Sequence, residues 1–194
     1  LFIDNNSISY LETFSIKYII FYFLNYLICS FLIKNISIII IMSFDKNIWG
    51  NTVWFLFHTL AHKIKESELS NNISDIEYIV KTISYHLPCP DCSNHAKTIL
   101  EKVNFNNISS KEELKLFIFN FHNHVNKKLD KKIFSIEELN VKYEKANFDT
   151  ICNNFFIIFS ANSNIPQLMS ETFHRKKNIP IIKIKIDKIK QFFE

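Results

Sequence analysis

Apolar residues in the middle of the chain recur every three or four positions, which is the period of a helix with one buried face. The first series comprises Trp49, Val53, Phe57, Leu60 and Ile64. Similar series follow at residues 76–83, 90–103, 114–125 and 139–146, with short polar segments between them. The pattern therefore predicts about five helices within residues 44–159 and no strand there.

Serine and glutamate residues three positions apart predict where three of these helices begin, because such a pair can cap a helix N-terminus. The pairs are Ser74 with Glu77, Ser110 with Glu113, and Ser135 with Glu138. Pro88 ends the second helix, and Pro90 opens the third, since a first-turn proline fits there. With one Gly and four Pro among 194 residues, the chain lacks the turn residues of an all-β protein. We therefore predict an all-α fold.

The first 41 residues form a separate hydrophobic segment. Residues 18–33 carry no charge and are flanked by Lys17 and Lys34, and this run is slightly shorter than a typical spanning helix. Three interpretations fit: a membrane anchor within residues 18–41, a buried or partner helix, and upstream translated sequence absent from the native product. The third rests on the first methionine, Met42, which directly precedes the domain expected at residues 42–160.

Residues 161–194 form a tail with a different pattern. Ile182, Ile184 and Ile186 alternate with charged residues, which is typical of a strand. No other strand is predicted for this segment to pair with. We therefore expect a peripheral or disordered tail.

Charge and cysteine content narrow the classes of function. The net charge is +4 and the lysines are dispersed, so nucleic-acid binding is not indicated. Of the four cysteines, Cys89 and Cys92 form a CxxC motif, whereas Cys29 and Cys152 are isolated. This arrangement differs from the dense spacing of a small disulfide-rich secreted scaffold.

The CxxC motif has a redox interpretation. Cys89 and Cys92 at a helix start lie within bonding distance, and the unpaired N–H groups and dipole of that helix favour thiolates. Cys89 at the mouth of the helix would meet an incoming thiolate, whereas Cys92, one turn inside, would face the electron acceptor. Two-electron transfer to oxygen requires a cofactor such as a flavin.

Two other interpretations of the motif stay open at this point. His86, Cys89, Cys92 and His95 recur at every third residue, and His122 with His124 could supply a second pair of ligands. The chain would then be a zinc-stabilised helical interaction module. Alternatively, the two cysteines are simply buried thiols. A thioredoxin-type fold is not indicated, because the motif follows a helix rather than a strand.

Residues on two predicted helices suggest a flavin site. Gly50, Trp54 and His58 share one face of the first helix. Gly50 is the only glycine, and its missing side chain would let a ligand approach the backbone. His122 and Asn126 lie one turn apart on the fourth helix, so they also share a face.

Three motifs in register give the chain a resemblance to a known family. The segment WGNTVWFLFH at 49–58, the CxxC at 89–92 and FHNHVN at 121–126 look like the Erv/ALR family of FAD-linked sulfhydryl oxidases. The resemblance covers residues 44–146, and the continuation at His95 and Ala96 is most similar to members encoded by large cytoplasmic DNA viruses. It implies a four-helix bundle with a short fifth helix, usually a homodimer, which binds FAD at the end of the bundle.

The resemblance also implies roles for individual residues. Cys89 and Cys92 would be the catalytic pair that passes electrons from protein thiols through FAD to O2, giving H2O2, and no metal is implied. The cofactor-binding residues would be Gly50, Trp54, His58, His95, His122, Asn123, Val125, Asn126, Lys131 and Tyr143. Two positions depart from the family: Tyr143 replaces a frequent Trp, and Asp130 replaces a frequent Gly.

Partners and location follow from the same resemblance. The chain has no second CxxC or CxC pair to shuttle electrons, so they would come directly from a separate thiol protein, expected to be a CxxC relay protein. A viral member would act in the host cytoplasm or the virion. Residues 18–41 would add a membrane attachment if they form an anchor.

Overall fold

The computed structural model describes residues 45–161 and 166–194, which are helical apart from short connections and one isolated β-bridge. The predicted all-α fold is confirmed. Seven α-helices occupy this part of the chain: α1 (Lys46–Lys63), α2 (Leu69–Tyr85), α3 (Pro90–Leu100), α4 (Lys111–Lys128), α5 (Ile136–Glu144), α6 (Phe148–Phe159) and α7 (Pro166–Lys190). Residues 1–41, and with them the anchor prediction, lie outside the described residues. None of the helices described is sufficiently long and apolar to cross a membrane.

Helix α1 lies at the centre of the described fold. It begins where the Asp45 carboxylate accepts a hydrogen bond from the Asn47 N–H at 2.7 Å, which caps the first turn. All five residues of its predicted apolar series are buried. The helix packs against α4, α5 and α6, and its side chains therefore reach most of the core.

Two of the three predicted helix starts are confirmed by their capping bonds. The Ser110 hydroxyl accepts the Glu113 N–H at 3.2 Å at the start of α4. Ser135 accepts the Glu138 N–H, and the Glu138 carboxylate in turn accepts the Ser135 N–H, so α5 has the full reciprocal capping box.

The predicted start of α2 at Ser74 is wrong, because the helix begins at Leu69. Leu69 is buried and holds the first turn against the core. The side-chain amide of Asn72 donates to the Glu68 carbonyl at 2.8 Å. Ser70, Asn71 and Asn72, which belong to the polar segment after the first helix, therefore lie in the first turn of α2, whereas Glu66–Glu68 form a short 3-10 helix before it.

The end of the domain and the tail contain two helices that the sequence did not predict. Helix α6 buries Phe148, Cys152, Phe155 and Phe159 and packs against α1. Helix α7 packs against α2 and buries Ile182, Ile186 and Ile189. The structure thus differs from the expected peripheral or disordered tail over residues 166–194. Isoleucines spaced four and three residues apart fit one helix face as well as a strand-like alternation.

The last residues of the chain are tied to the end of α1. The Lys65 N–H donates to the Phe192 carbonyl, and the Glu194 N–H donates to the Lys63 carbonyl, both at 2.9 Å. Glu194 also forms an ion pair with Lys111 at the start of α4. These bonds fix the C-terminus against the bundle.

Candidate redox and cofactor site

The CxxC motif forms a disulfide at the N-terminus of α3. Pro88 precedes it, and Pro90 occupies the first turn of the helix. The Cys89 sulfur accepts the Cys92 N–H at 3.3 Å, so Cys89 is the N-cap residue. The two Cα atoms are 5.2 Å apart, which lies within the usual range for a disulfide. The Cys89 sulfur therefore lies at the positive end of the helix dipole.

A cavity of about 430 Å³ opens beside this disulfide. Side chains of α1, α3, α4, α5 and the α4–α5 loop form most of its wall, and the end of α2 adds Ser84. Its walls are largely apolar and aromatic, including Trp49, Phe57, Phe121 and Phe134. Cys92 lines the cavity, whereas Cys89 is absent from its lining. The two sulfurs thus differ in surroundings, with Cys92 on the cavity side.

Most of the predicted cofactor residues meet at this cavity. Those that line it are Gly50, Trp54, His95, His122, Val125, Asn126, Lys131 and Tyr143. His58 and Asn123 do not line it. Asn123 instead exchanges two hydrogen bonds with the backbone of Phe134, at 3.0 and 3.1 Å. This places Phe134 in the cavity wall, so Asn123 acts through the loop that it holds.

His58 supports the aromatic wall from behind. It is 1% exposed, and its Nε2 forms a hydrogen bond of 3.0 Å with the Nδ1 atom of His122. The His122 ring stacks on Trp54 with centroids 4.1 Å apart, and the His58 ring stacks on Tyr143 at 4.5 Å. The four rings form one packed group, which fixes the orientation of those that face the cavity.

Burial keeps these two histidines neutral. Desolvation by burial is the main cause that lowers the pKa of His58 to about 2, and the Lys142 ammonium and the neighbouring imidazole of His122 also disfavour a proton there. Desolvation, with Lys142 and Lys131 nearby, lowers the pKa of His122 to about 4. Both imidazoles are therefore uncharged at neutral pH, and each can donate one hydrogen bond and accept another.

The only glycine leaves room in the cavity. A Cβ atom added at Gly50 would meet no atom within 4 Å, and Gly50 lines the cavity one turn before Trp54. The absence of a side chain is therefore not required by packing within the protein. It leaves the α1 backbone open to a bound group.

Lysine side chains surround the same cavity and were largely missed by the sequence reasoning. Only Lys131 was predicted, but four others also line the cavity: Lys46, Lys128, Lys132 and Lys142. Asp91 is the one acidic residue in the lining. No pattern in the sequence joins these lysines, because they come from α1, α4, α5 and the α4–α5 loop. In the sequence, Lys132 and Lys142 are each adjacent to a predicted residue, Lys131 and Tyr143.

The turn before Lys131 has the backbone shape that a glycine would adopt. Asp130 has a φ of 52°, in the left-handed region that favours glycine. The Lys131 N–H donates to the Asn126 carbonyl at 2.9 Å and closes the end of α4. The turn therefore places an aspartate in the left-handed region, which this residue tolerates better than most.

The residues present fit FAD. A flat ring system needs apolar and aromatic walls, which Trp54, Val125 and Tyr143 provide. Its pyrophosphate needs positive charge, which Lys46, Lys128 and Lys131 in the lining can provide. The open backbone at Gly50 allows close approach of the ligand.

The zinc interpretation is not favoured. Among the residues described, no group of three or more His, Cys, Asp or Glu is placed to hold a metal ion. His86 uses its Nδ1 to donate to the Thr82 carbonyl at 2.7 Å. His95 stacks on His124 with centroids 5.4 Å apart, and His122 is engaged with His58. The histidines of the proposed zinc set thus have other partners.

Comparisons with known proteins agree with this geometry. The sequence profile of the Erv1/Alr family matches residues 51–146. A protein of Invertebrate iridescent virus 3, named as a FAD-linked sulfhydryl oxidase, is 31% identical over 109 residues, which cover 56% of this chain and 73% of that protein. The FAD-linked sulfhydryl oxidase of African swine fever virus (isolate Tick/Malawi/Lil 20-1/1983) is 34% identical over 104 residues, covering 53% and 86%.

A plant relative matches over half of its own length. The FAD-linked sulfhydryl oxidase ERV1 of Arabidopsis thaliana is 30% identical over 96 residues, covering 50% of each protein, so the match spans half the length of that relative. No solved structure matches the chain. The profile match, the two viral relatives and the disulfide beside a largely aromatic cavity agree, and the chain belongs to the Erv1/Alr family.

Proposed function

We propose that the protein is an FAD-dependent thiol oxidase that forms disulfide bonds in protein substrates, with O2 as the final electron acceptor. The observation that supports this function best is the position of Cys92. It lines the same cavity as Gly50, Trp54 and Tyr143, whereas its disulfide partner Cys89 does not. One sulfur is thus next to the cofactor site and the other is left for the substrate.

The two cysteines divide the thiol chemistry between them. A substrate thiolate attacks the Cys89 sulfur, a substrate–Cys89 disulfide forms, and Cys92 leaves as a thiolate on the cavity side. The second substrate thiolate then attacks the substrate sulfur, and Cys89 leaves. The Cys92 N–H, 3.3 Å from the Cys89 sulfur, and the dipole of α3 stabilise that leaving thiolate. The substrate loses two electrons and two protons, and Cys89 and Cys92 gain the electrons.

The cavity residues would hold the cofactor in reach of Cys92. When bound, FAD supplies a two-electron acceptor for the reduced cysteine pair and a route for these electrons to O2, giving H2O2. Trp54, Tyr143 and Val125 would bind the ring system, and Gly50 with the surrounding lysines would bind the phosphates. His58 holds His122 and Tyr143 in place.

Three finer points of the proposal are supported by the resemblance alone. The thiol donor would be a CxxC relay protein, the active form would be a homodimer, and a viral protein of this family would act in the host cytoplasm or the virion. They stay predictions.

Spectroscopy and oxygen consumption test the function. The purified protein should be yellow and should consume O2 when dithiothreitol is added. Cys89→Ser and Cys92→Ser should each lower this rate by at least about 100-fold while FAD stays bound. Cys152→Ala is the matched control, because Cys152 is buried on α6 away from the cavity and its loss should leave the rate unchanged.

The result that would contradict the proposal is equally direct. A colourless preparation that binds one zinc ion per chain would support the interaction module. If the FAD-containing protein still consumed O2 at the wild-type rate with either serine substitution, Cys89 and Cys92 would not take part in the reaction.

A further inference from the structure

Helix α7 runs antiparallel to α2 and reaches the redox end of that helix. Asp75, in the first half of α2, forms ion pairs with Lys185 and Lys188. At the other end, the ring of His86, which follows α2, lies 6.1 Å from the ring of His174. The C-terminal end of α2 therefore lies beside the N-terminal half of α7.

The N-terminal part of α7 extends past the end of α2. Helix α2 ends at Tyr85, whereas α7 continues from His174 back to Pro166. Eight residues at about 1.5 Å each span roughly 12 Å. Cys89 follows His86 by only three residues and lies at the turn into α3. The extension is therefore at the same end of the bundle as the sulfur that the substrate must reach.

Two large apolar side chains on this extension are exposed. Met169 is 60% exposed and Phe173, one turn later, is 67% exposed. Lys177 lies one further turn along the same face and is also exposed. In this part of α7 the buried residues are Thr172 and Arg175, so Met169 and Phe173 lie on the exposed face of the helix. Nothing in the core requires Met169 or Phe173 to be apolar.

We infer that Met169 and Phe173 form a docking surface for the protein substrate of the oxidase. The partner is a thiol protein that places an apolar side chain near its reactive cysteines, with a carboxylate within reach of Lys177. Neighbouring large apolar side chains exposed on a surface can mark a protein interaction site. The inference deepens the proposed function and rests on it.

The position of this surface matches the direction of substrate attack. Cys92 and the cofactor cavity occupy one side of the disulfide, so the substrate thiolate must approach Cys89 from outside the cavity. The docking surface lies outside residues 51–146, which match the family. In this proposal the surface selects the substrate, while the disulfide and the cavity within the matched region perform the chemistry.

Comparing a protein thiol with a small thiol tests this inference. The probes are reduced, unfolded ribonuclease A and dithiothreitol, assayed by O2 consumption with the full FAD-containing protein. The double variant Met169→Ala/Phe173→Ala should raise KM for reduced ribonuclease A by roughly fivefold or more and leave kcat unchanged. Dithiothreitol kinetics should not change, since this small dithiol has no side chain to dock.

Ile184→Ala is the matched control. Ile184 is 69% exposed on the same helix, but it lies about three turns from His174, away from Cys89. This variant should keep the wild-type KM for both thiols. Phe173→Lys is a second test, because a charge in an apolar contact should raise the KM for the protein thiol further.

Three outcomes would overturn the inference. An unchanged KM for reduced ribonuclease A in Met169→Ala/Phe173→Ala and in Phe173→Lys would exclude the docking role. An equal rise in KM for reduced ribonuclease A with Ile184→Ala would show a general effect of changes on α7. A change of oligomeric state in sedimentation velocity, without a change in KM, would assign the surface to self-association. By contrast, failure of the wild-type protein to oxidise dithiothreitol would contradict the proposed function itself.

Discussion

Gly50 shows how one residue can serve a ligand at a cost to the protein. Glycine inside a helix destabilises it by about 0.5–1 kcal/mol relative to alanine, and α1 is the central helix of the core. The space next to Gly50 is open, since an added Cβ would contact no atom within 4 Å. Packing therefore does not explain the glycine, whereas a cofactor lying against the backbone does.

The Gly50→Ala variant should separate stability from cofactor binding. In the FAD-free protein it should raise the free energy of unfolding by about 0.5–1 kcal/mol, measured by urea denaturation. Affinity for FAD should fall by at least about tenfold, or 1.4 kcal/mol, measured by fluorescence titration, because the new methyl group occupies ligand space. Thr52→Ala on the same helix lies outside the cavity lining and should leave the affinity unchanged. Wild-type affinity in Gly50→Ala would show that FAD does not contact this position.

At the scale of helices, α7 is joined to α2 by a charge cluster as well as by apolar packing. The carboxylate of Asp75 is largely buried and pairs with Lys185 and Lys188. Burial raises the pKa of Asp75, but the two lysine hydrogen bonds outweigh this effect and hold the pKa below its usual range. The carboxylate is thus charged and paired, and it sets the register between the two helices.

Asp75→Asn should therefore loosen α7. Removing the charge leaves two lysines without their partner, and we expect a loss of about 1–2 kcal/mol in the free energy of unfolding. Amide hydrogen exchange should be faster at Ile182 and Ile186 than in the wild type. Asp149→Asn is the control, because Asp149 also pairs with an α7 lysine, Lys190, but is 65% exposed, and exposed pairs contribute little. An equal loss in the free energy of unfolding for the two substitutions would show that the burial of Asp75 does not strengthen its ion pairs.

At the scale of the whole molecule, the buried histidine pair couples stability to pH. His58 and His122 connect α1 with α4 and have folded-state pKa values of about 2 and about 4. In the unfolded chain their pKa is about 6.5, so below that pH the unfolded state binds more protons than the folded state. The stability due to neutral burial is complete above pH 6.5 and is lost as the pH falls towards 4.

Urea denaturation between pH 7.5 and 5 should show this loss. Each histidine contributes up to about 1.4 kcal/mol per pH unit once the pH is well below 6.5. The variant His122→Asn should be less stable at pH 7.5. The slope of its free energy of unfolding against pH should be smaller by up to about 1.4 kcal/mol per pH unit, which is the contribution of one proton. An identical slope in the variant and the wild type would contradict the buried, neutral state of His122.

The local features of this fold could be predicted from the sequence because they depend on neighbours along the chain. Helical periodicity placed the buried face of α1, and residue pairs such as Ser135 with Glu138 marked true helix starts. The CxxC motif and the residues around Gly50 and Trp54 pointed to a redox cofactor site. Ser74 was misleading because burial of Leu69 outweighed a local capping preference.

The remaining features were decided by tertiary structure. Distant segments had to meet before the lysines from α1, α4 and α5 surrounded one cavity, or before His58 was found behind His122 rather than in the lining. Helix α7 is the clearest case: its alternating isoleucines fit a strand or a helix equally well. Burial of Ile182, Ile186 and Ile189 against α2, with Asp75 paired to two lysines, stabilises the helix. By itself the sequence determined the reactive groups and the helical face that carries them, and packing determined which of those groups share a site.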